Sequence, residues 1–216
     1  MKIETNFSTE GKGKLYFISD LHLGHTNIIK MGPRKFEDVK EMNKSIIEEL
    51  QKTTEDDCIF ELGDLFWNFK IQDAERVLSS ISAKKYKLLG NHDKYKMYLD
   101  NNNGLLRKYF EIVSDILDIK VEHNGDLVRC ILSHYPLLSW NHKSNGSFMI
   151  HGHCHGNIDR INDASTDLRV DVGYDGELAK DCGTFMIEFK DIYNWFYKKT
   201  GGLEFTDWVK KRGNAI

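Results

Sequence analysis

Phe148 to Gly156 reads FMIHGHCHG. Three histidines, His151, His153 and His155, fall within these nine residues. Phe148, Met149 and Ile150 form a short apolar run of the kind that makes a buried strand. The last two histidines are therefore expected just past a strand end, in a loop bracketed by Gly152 and Gly156. In an open α/β sheet, sites form outside the carboxyl ends of strands. Backbone freedom at two glycines lets histidines two residues apart reach different ions. A His-rich surface loop with no ligand has the same local sequence, so the rest of the chain has to separate the two readings.

The same punctuation recurs upstream. Leu15 to Ile18 is a β-rich run that ends in SDLHLGH, carrying Asp20, His22 and His25. The i, i+2 spacing puts Asp20 and His22 on one side of an extended segment. Cys58 to Leu62 closes in Gly63-Asp64, Tyr86 to Leu89 in Gly90-Asn91-His92-Asp93, and Leu127 to Leu132 in Ser133-His134-Tyr135-Pro136. Of nine histidines, only His123 and His142 fall outside these strand-end motifs. Carboxylates and imidazoles gathered in this way suit two divalent ions about 3.5–4 Å apart, bridged by one carboxylate.

Between the motifs, Val39 to Lys52 is expected to be a helix. Asp38 and Glu41 suit a capping box, and Val39, Met42, Ile46 and Leu50 form an apolar stripe. Residues 71–82 are expected to form a second helix. Three strand–loop–helix units in a row predict an α/β layered fold. Further strands are expected at 110–113, 116–122 and 127–132, with a hairpin turn at Asn124-Gly125. A polar loop at 157–167 precedes strands at 168–172 and 184–189, giving a second, β-rich layer. The tail from Asp191, with Tyr193, Trp195, Phe196, Tyr197 and Trp208, is expected to cover a sheet face or edge.

The 216 residues, 40% hydrophobic and 29% charged, suit a single globular domain spanning 1–216. The net charge of −3 gives no basic footprint for duplex nucleic acid or an anionic membrane. Cys58, Cys130, Cys154 and Cys182 form no C-x-x-C pair and are expected to be reduced. MKIETNFSTE carries no apolar signal region, and no apolar run reaches membrane-spanning length, so a cytoplasmic protein is expected.

Asp-x-His, Gly-Asp, Gly-Asn-His-Asp, a lone His after a strand, and Gly-His-x-His, in that order over residues 20–155, resemble the calcineurin-like metallophosphoesterases. The opening DLHLGHTNIIK is similar to small bacterial and phage phosphoesterases. The resemblance implies a four-layer α/β/β/α sandwich with its active site at the carboxyl ends of the strands. Asp20, His22 and His155 would bind one metal ion and Asn91, His134 and His153 the other, with Asp64 bridging. Carboxylate, imidazole and amide oxygen suit Mn²⁺ first, then Fe or Zn²⁺.

The reaction implied is hydrolysis of a phosphate ester by in-line attack of a metal-bound hydroxide, with His92 protonating the leaving oxygen. A small or flexible phosphodiester is the expected substrate. A single-strand nuclease or a phosphomonoesterase of the same superfamily is the alternative, and a non-catalytic binding protein is a third. The expected partner is the small phosphate-ester substrate, with no duplex nucleic acid and no membrane, and the sequence carries no signal for oligomeric state.

Ser/Thr protein phosphatases of this superfamily carry a second Asp and an Arg shortly after the bridging Asp. Here Leu65, Phe66, Trp67 and Asn68 follow Asp64. The group that orients the catalytic histidine is therefore missing at that place, and Asp93 is the nearest substitute. His25 can touch the substrate phosphate or cap its loop. Arg34 can act as a phosphate clamp or stand as a solvated loop charge. His151 is expected to be a buried histidine that orients the ligands.

Overall fold

The structure, a computed structural model, describes residues 6–67, 69–93 and 106–202. Asn68 and Trp208 lie outside the described residues. The strands are β1 (Asn6–Ser8), β2 (Leu15–Ile18), β3 (Cys58–Glu61), β4 (Lys84–Leu88), β5 (Ile112–Ser114), β6 (Ile116–His123), β7 (Asp126–Ser133), β8 (Phe148–His151), β9 (Arg169–Asp171) and β10 (Ile187–Glu188). They form two five-stranded sheets, ordered β10-β2-β3-β4-β5 and β1-β6-β7-β8-β9.

In the first sheet β2, β3, β4 and β5 run parallel, and only β10 is antiparallel. Two of its parallel crossovers are made by the helices α2 (Val39–Leu50) and α3 (Ile71–Ser79); the short α1 (Ile28–Met31) precedes them. In the second sheet the β6–β7 pair is antiparallel and β7, β8 and β9 are parallel. Asn124 and Gly125 at the β6–β7 turn both have positive φ, 52° and 82°, as a two-residue type I′ hairpin turn requires.

Alternation of side chains along the strands assigns the layers. Phe17 and Phe60 of one sheet meet Val121, Cys130, Leu132, Phe148 and Ile150 of the other in the inter-sheet core. The intervening residues Ile18 and Ile59 face outward against Met42, Ile46 and Leu50 of α2 and Ala74, Val77 and Leu78 of α3. On the far side, Ile131 and Met149 pack with Trp140. His151, on the same face as Met149, meets Asn162 of the short helix α4 (Asp159–Ala164). The result is an α/β/β/α sandwich whose fourth layer is thin.

Several local expectations hold with adjustments. The Asp38 carboxylate caps α2, accepting from Lys40 N and Glu41 N, but Glu41 reaches back to Glu37 N rather than closing the box on Asp38. The strand expected at 184–189 shrinks to β10. Glu188 and Asp191 form a capping box that starts helix α6 (Phe189–Lys199) at once; α5 (Glu177–Cys182) lies just before. The aromatic tail is therefore helical, and Phe189, Ile192, Tyr193 and Phe196 enter the inter-sheet core itself. No helix among the described residues is long and apolar enough to cross a membrane.

Candidate active site

Every expected site loop leaves a carboxyl strand end: Asp20 after β2, Asp64 after β3, Asn91 and His92 after β4, His134 after β7, His153 and His155 after β8. Asp20 and His22 do not continue an extended segment as their spacing suggested. Asp20, His22, Asp64, His153 and His155 all hold left-handed backbone, with φ of 57°, 51°, 60°, 70° and 48°. Such a conformation costs a non-glycine residue on the order of 1–3 kcal/mol and clusters where function demands it. Hydrogen bonds between neighbouring loops hold it in place: Asp20 N to Gly63 O (3.0 Å), His22 N to Asp64 O (3.0 Å) and Leu23 N to Leu65 O (2.9 Å).

The glycines serve close approach more than flexibility. A Cβ on Gly63 would sit 2.3 Å from His134 Nδ1, and one on Gly152 would sit 1.9 Å from Ser19 Oγ and 2.4 Å from Asp20 Oδ2. Gly63, with φ +108°, and Gly156, with φ +77°, also need the conformational freedom of glycine.

The side chains converge in two groups. His22 Nε2 and His155 Nε2 lie 3.9 and 3.6 Å from Asp20 Oδ1. Asn91 Oδ1 lies 2.9 Å from both His134 Nε2 and His153 Nδ1. Asp64 Oδ2 stands between the groups, 3.9 Å from His22 Nε2 and 3.5 Å from His134 Nε2. Asp20, His22 and His155 can offer donors within 4.8 Å of one another, and so can Asp20, Asp64 and His134. Asp20 thus reaches the second group as well as its own. Asp20 Oδ1 and both ring nitrogens of His22 are buried with no hydrogen-bond partner. Buried polar atoms are otherwise almost always paired, so these orphans fit a cation at their centre.

The electrostatics point the same way. Burial, with the Asp171 charge second, pushes the Asp20 carboxyl up to about 7; burial also raises Asp64. Burial brings His22 down to about 2 and His134 to about 4. Burial thus favours neutral imidazole at His22 and His134, the form that binds metal, and a cation would restore the carboxylates.

Around these groups lies a shell that sequence reasoning largely missed. His155 Nδ1 is 2.7 Å from Asp175 Oδ2. The Asp175 carboxyl falls to about 2, because hydrogen bonds to His155 and Arg34 outweigh its burial. Arg34 is neither a clamp on substrate nor a solvated charge: its side chain is 0% exposed. Its Nε and Nη2 donate to Asp175, Nη2 also to Asp20 O, and Nη1 to Leu21 O and Met42 Sδ. Those contacts occupy all five donors of the guanidinium. Asp171 to Asp175, DVGYD, is another acid-bearing strand end, and that was the signal available in the sequence.

His151 is buried as expected. Arg169 Nε donates to Asn162 Oδ1, Asn162 Nδ2 faces His151 Nε2, and His151 Nδ1 faces Gly152 O. This chain fixes the backbone just before His153. His25 stacks on the Trp67 indole, ring centroids 3.9 Å apart. Burial lowers the His25 pKa. The His92 side chain is 39% exposed, at the edge of the metal-ligand cluster.

The fold and site define a phosphoesterase of the calcineurin-like type, and comparison with known proteins agrees. The calcineurin-like phosphoesterase family profile matches residues 13–196, and the chain belongs to that family. It is 33% identical to the uncharacterized protein MJ1445 of Methanocaldococcus jannaschii over 146 residues, 67% of this chain and 70% of that one. It is 27% identical to the Gene 66 protein of Mycobacterium phage D29 over 167 residues, 68% of this chain and 80% of that one. Among solved structures, the protein of unknown function AQ665 from Aquifex aeolicus superposes with a TM-score of 0.62 at 25% identity. That match covers 85% of this chain and all of AQ665. The chain is accordingly a metal-dependent phosphoester hydrolase.

Proposed function

We propose that the protein hydrolyses a small or flexible phosphodiester at a centre of two divalent ions, Mn²⁺ foremost. The observation that carries this reading is the convergence of seven donor residues with Asp20 Oδ1 and both His22 nitrogens left unpartnered. Asp20, His22 and His155 would hold one ion, Asn91, His134 and His153 the other, and Asp64 would be shared. When bound, the ions supply positive charge at the phosphate and lower the pKa of bound water.

The chain's own residues do the rest. Asp175 holds His155 with Nε2 toward the site, and Gly152 lets Asp20 approach the His153 backbone, whose N–H reaches Asp20 Oδ2 at 2.8 Å. His92 donates a proton to the leaving oxygen, and His25 borders the substrate side.

Diester preference follows from charge. A monoester dianion carries one more negative charge than a diester and calls for an added cation. Arg34, the arginine nearest the motif loops in sequence, is fully engaged inside the protein. The net charge of −3 disfavours duplex nucleic acid, and the four free cysteines suit a reducing cytoplasm. The test compares kcat/KM for bis-nitrophenyl phosphate and nitrophenyl phosphate at saturating Mn²⁺. A higher value for the diester is expected; a strong monoester preference would overturn the diesterase reading.

A further inference from the structure

A proton donor must hold its ring toward the leaving oxygen, and among the described residues no carboxylate does that for His92. Asp93, the nearest candidate, is committed elsewhere. Its Oδ2 accepts from Asp64 N (3.0 Å) and Gly90 N (2.8 Å) and pairs with Lys87 Nζ (2.6 Å), while its Oδ1 is buried without a partner. Asp64 holds the His92 backbone, Oδ1 to N at 2.9 Å, but its Oδ2 is 4.0 Å from His92 Nε2, too far for a hydrogen bond.

Among the described residues the nearest ring to His92 is the indole of Trp67, at 4.3 Å between centroids and tilted 56°, with His22 next at 5.6 Å. That indole is itself fixed. Trp67 N donates to Leu23 O at 2.8 Å, and Phe66 and Leu23 form a parallel bridge, so the segment after Asp64 is tied to the segment after His22. Gly24, at φ +91°, leaves room for the turn, since a Cβ there would lie 2.7 Å from Trp67 O. His25 stacks on the indole at 3.9 Å and 10°, nearly parallel.

We infer that Trp67 is the positioning residue for His92, an aromatic platform in the role a carboxylate plays in the related protein phosphatases. The inference rests on the reading of His92 as the donor to the leaving oxygen. Rings in tilted contact at this separation attract and restrict one another. The His92 ring is thereby confined to the metal side of its loop while its edge stays open to substrate. The proton passes from the imidazolium to the ester oxygen as the P–O bond breaks, leaving neutral imidazole. Trp67 touches neither atom; it narrows the set of orientations from which transfer occurs.

The test uses manganese-loaded wild type, Trp67→Leu, Trp67→Phe and His92→Ala, each with metal content measured. The substrates are methyl 4-nitrophenyl phosphate and methyl phenyl phosphate, which differ in how much the leaving group needs a proton. His92→Ala should lose about 100-fold more on the phenyl ester than on the nitrophenyl ester. Trp67→Leu should move the same ratio in the same direction by at least about tenfold, through kcat rather than KM, with metal content intact. Trp67→Phe, which keeps a smaller ring, should move it by only about threefold.

Equal losses on both esters in Trp67→Leu, as a structural defect would give, overturn the inference. So does an unchanged ratio while His92→Ala shifts it. If Trp67→Leu does not fold, Trp67→Phe decides, and no movement of the ratio overturns the inference. A ratio unmoved in His92→Ala is a different result, because it removes the donor reading itself.

Discussion

The Arg34 guanidinium meets the Asp175 carboxylate through two hydrogen bonds, Nε to Oδ1 at 3.0 Å and Nη2 to Oδ2 at 2.8 Å, with both side chains buried. Asp175 in turn holds His155, and Arg34 also binds the backbone carbonyl of Asp20. The pair therefore braces two expected ligands of one ion at once. Asp175→Asn and Arg34→Ala should each weaken metal binding by about 10–100-fold, the range for groups that orient metal-binding histidines. With excess Mn²⁺ the Asp175→Asn rate should recover substantially. Metal titration followed by activity checks this; unchanged metal affinity in both variants would contradict it.

Lys87 lies under the site with no exposed surface, paired with Glu61 and Asp93. Glu61 accepts from Gly63 N and Asp93 from Asp64 N, so the buried ammonium ties two catalytic loops together. Lys87→Met leaves two carboxylates buried without their cation. It should cost about 3–5 kcal/mol in denaturant unfolding, the range for breaking a buried pair from one side. A loss below about 1 kcal/mol, the level of an exposed ion pair, would show that the network carries little weight.

Burial pulls His151 down to about 4 from its ordinary 6.5. Its Nε2 faces the Asn162 amide nitrogen, which donates a hydrogen bond and cannot accept one. The folded protein thus holds this ring neutral where the unfolded chain would charge it. Its contribution to stability is full above about pH 6.5 and is lost as pH falls toward 4, by at most about 1.4 kcal/mol per unit. Thermal melts of chelator-treated wild type and His151→Gln at pH 7.5, 6 and 5 should show wild type losing ground as pH falls. A difference constant across that range would refute the linkage.

Asp64 faces both donor groups. Asp64→Asn should lose metal and turnover together, read by elemental analysis and hydrolysis rate on the same sample. Full metal content with full rate would remove the bridge.

The gathering of these side chains was legible because each sits at a strand end inside a short motif, glycine-bearing in every case but Ser133-His134-Tyr135-Pro136. Strand periodicity located the ends, and the motif order supplied the rest. The support was not legible. Arg34 and Asp175 are 141 residues apart, and nothing local in Gly-Pro-Arg tells a loop charge from a buried brace. Asp93 adjoins His92 in sequence, yet its carboxylate turns to Lys87 on the sheet. Trp67 looked like a departure from a known motif, and only the pairing of its segment with Leu23 brings it to His92. The left-handed backbone at Asp20 and His22 was equally hidden, since an extended reading satisfied their spacing. The strand expected at 184–189 shortens to Ile187–Glu188 because Glu188 and Asp191 cap a helix there, a local signal stronger than the apolar run.

The most direct test of the two-ion account is a Mn²⁺ titration of chelator-stripped wild type, with hydrolysis of bis-nitrophenyl phosphate followed against bound manganese per chain. The rate should be negligible without metal and rise until two ions are bound. Full turnover in the stripped protein, or saturation of the rate at one ion per chain, would contradict it.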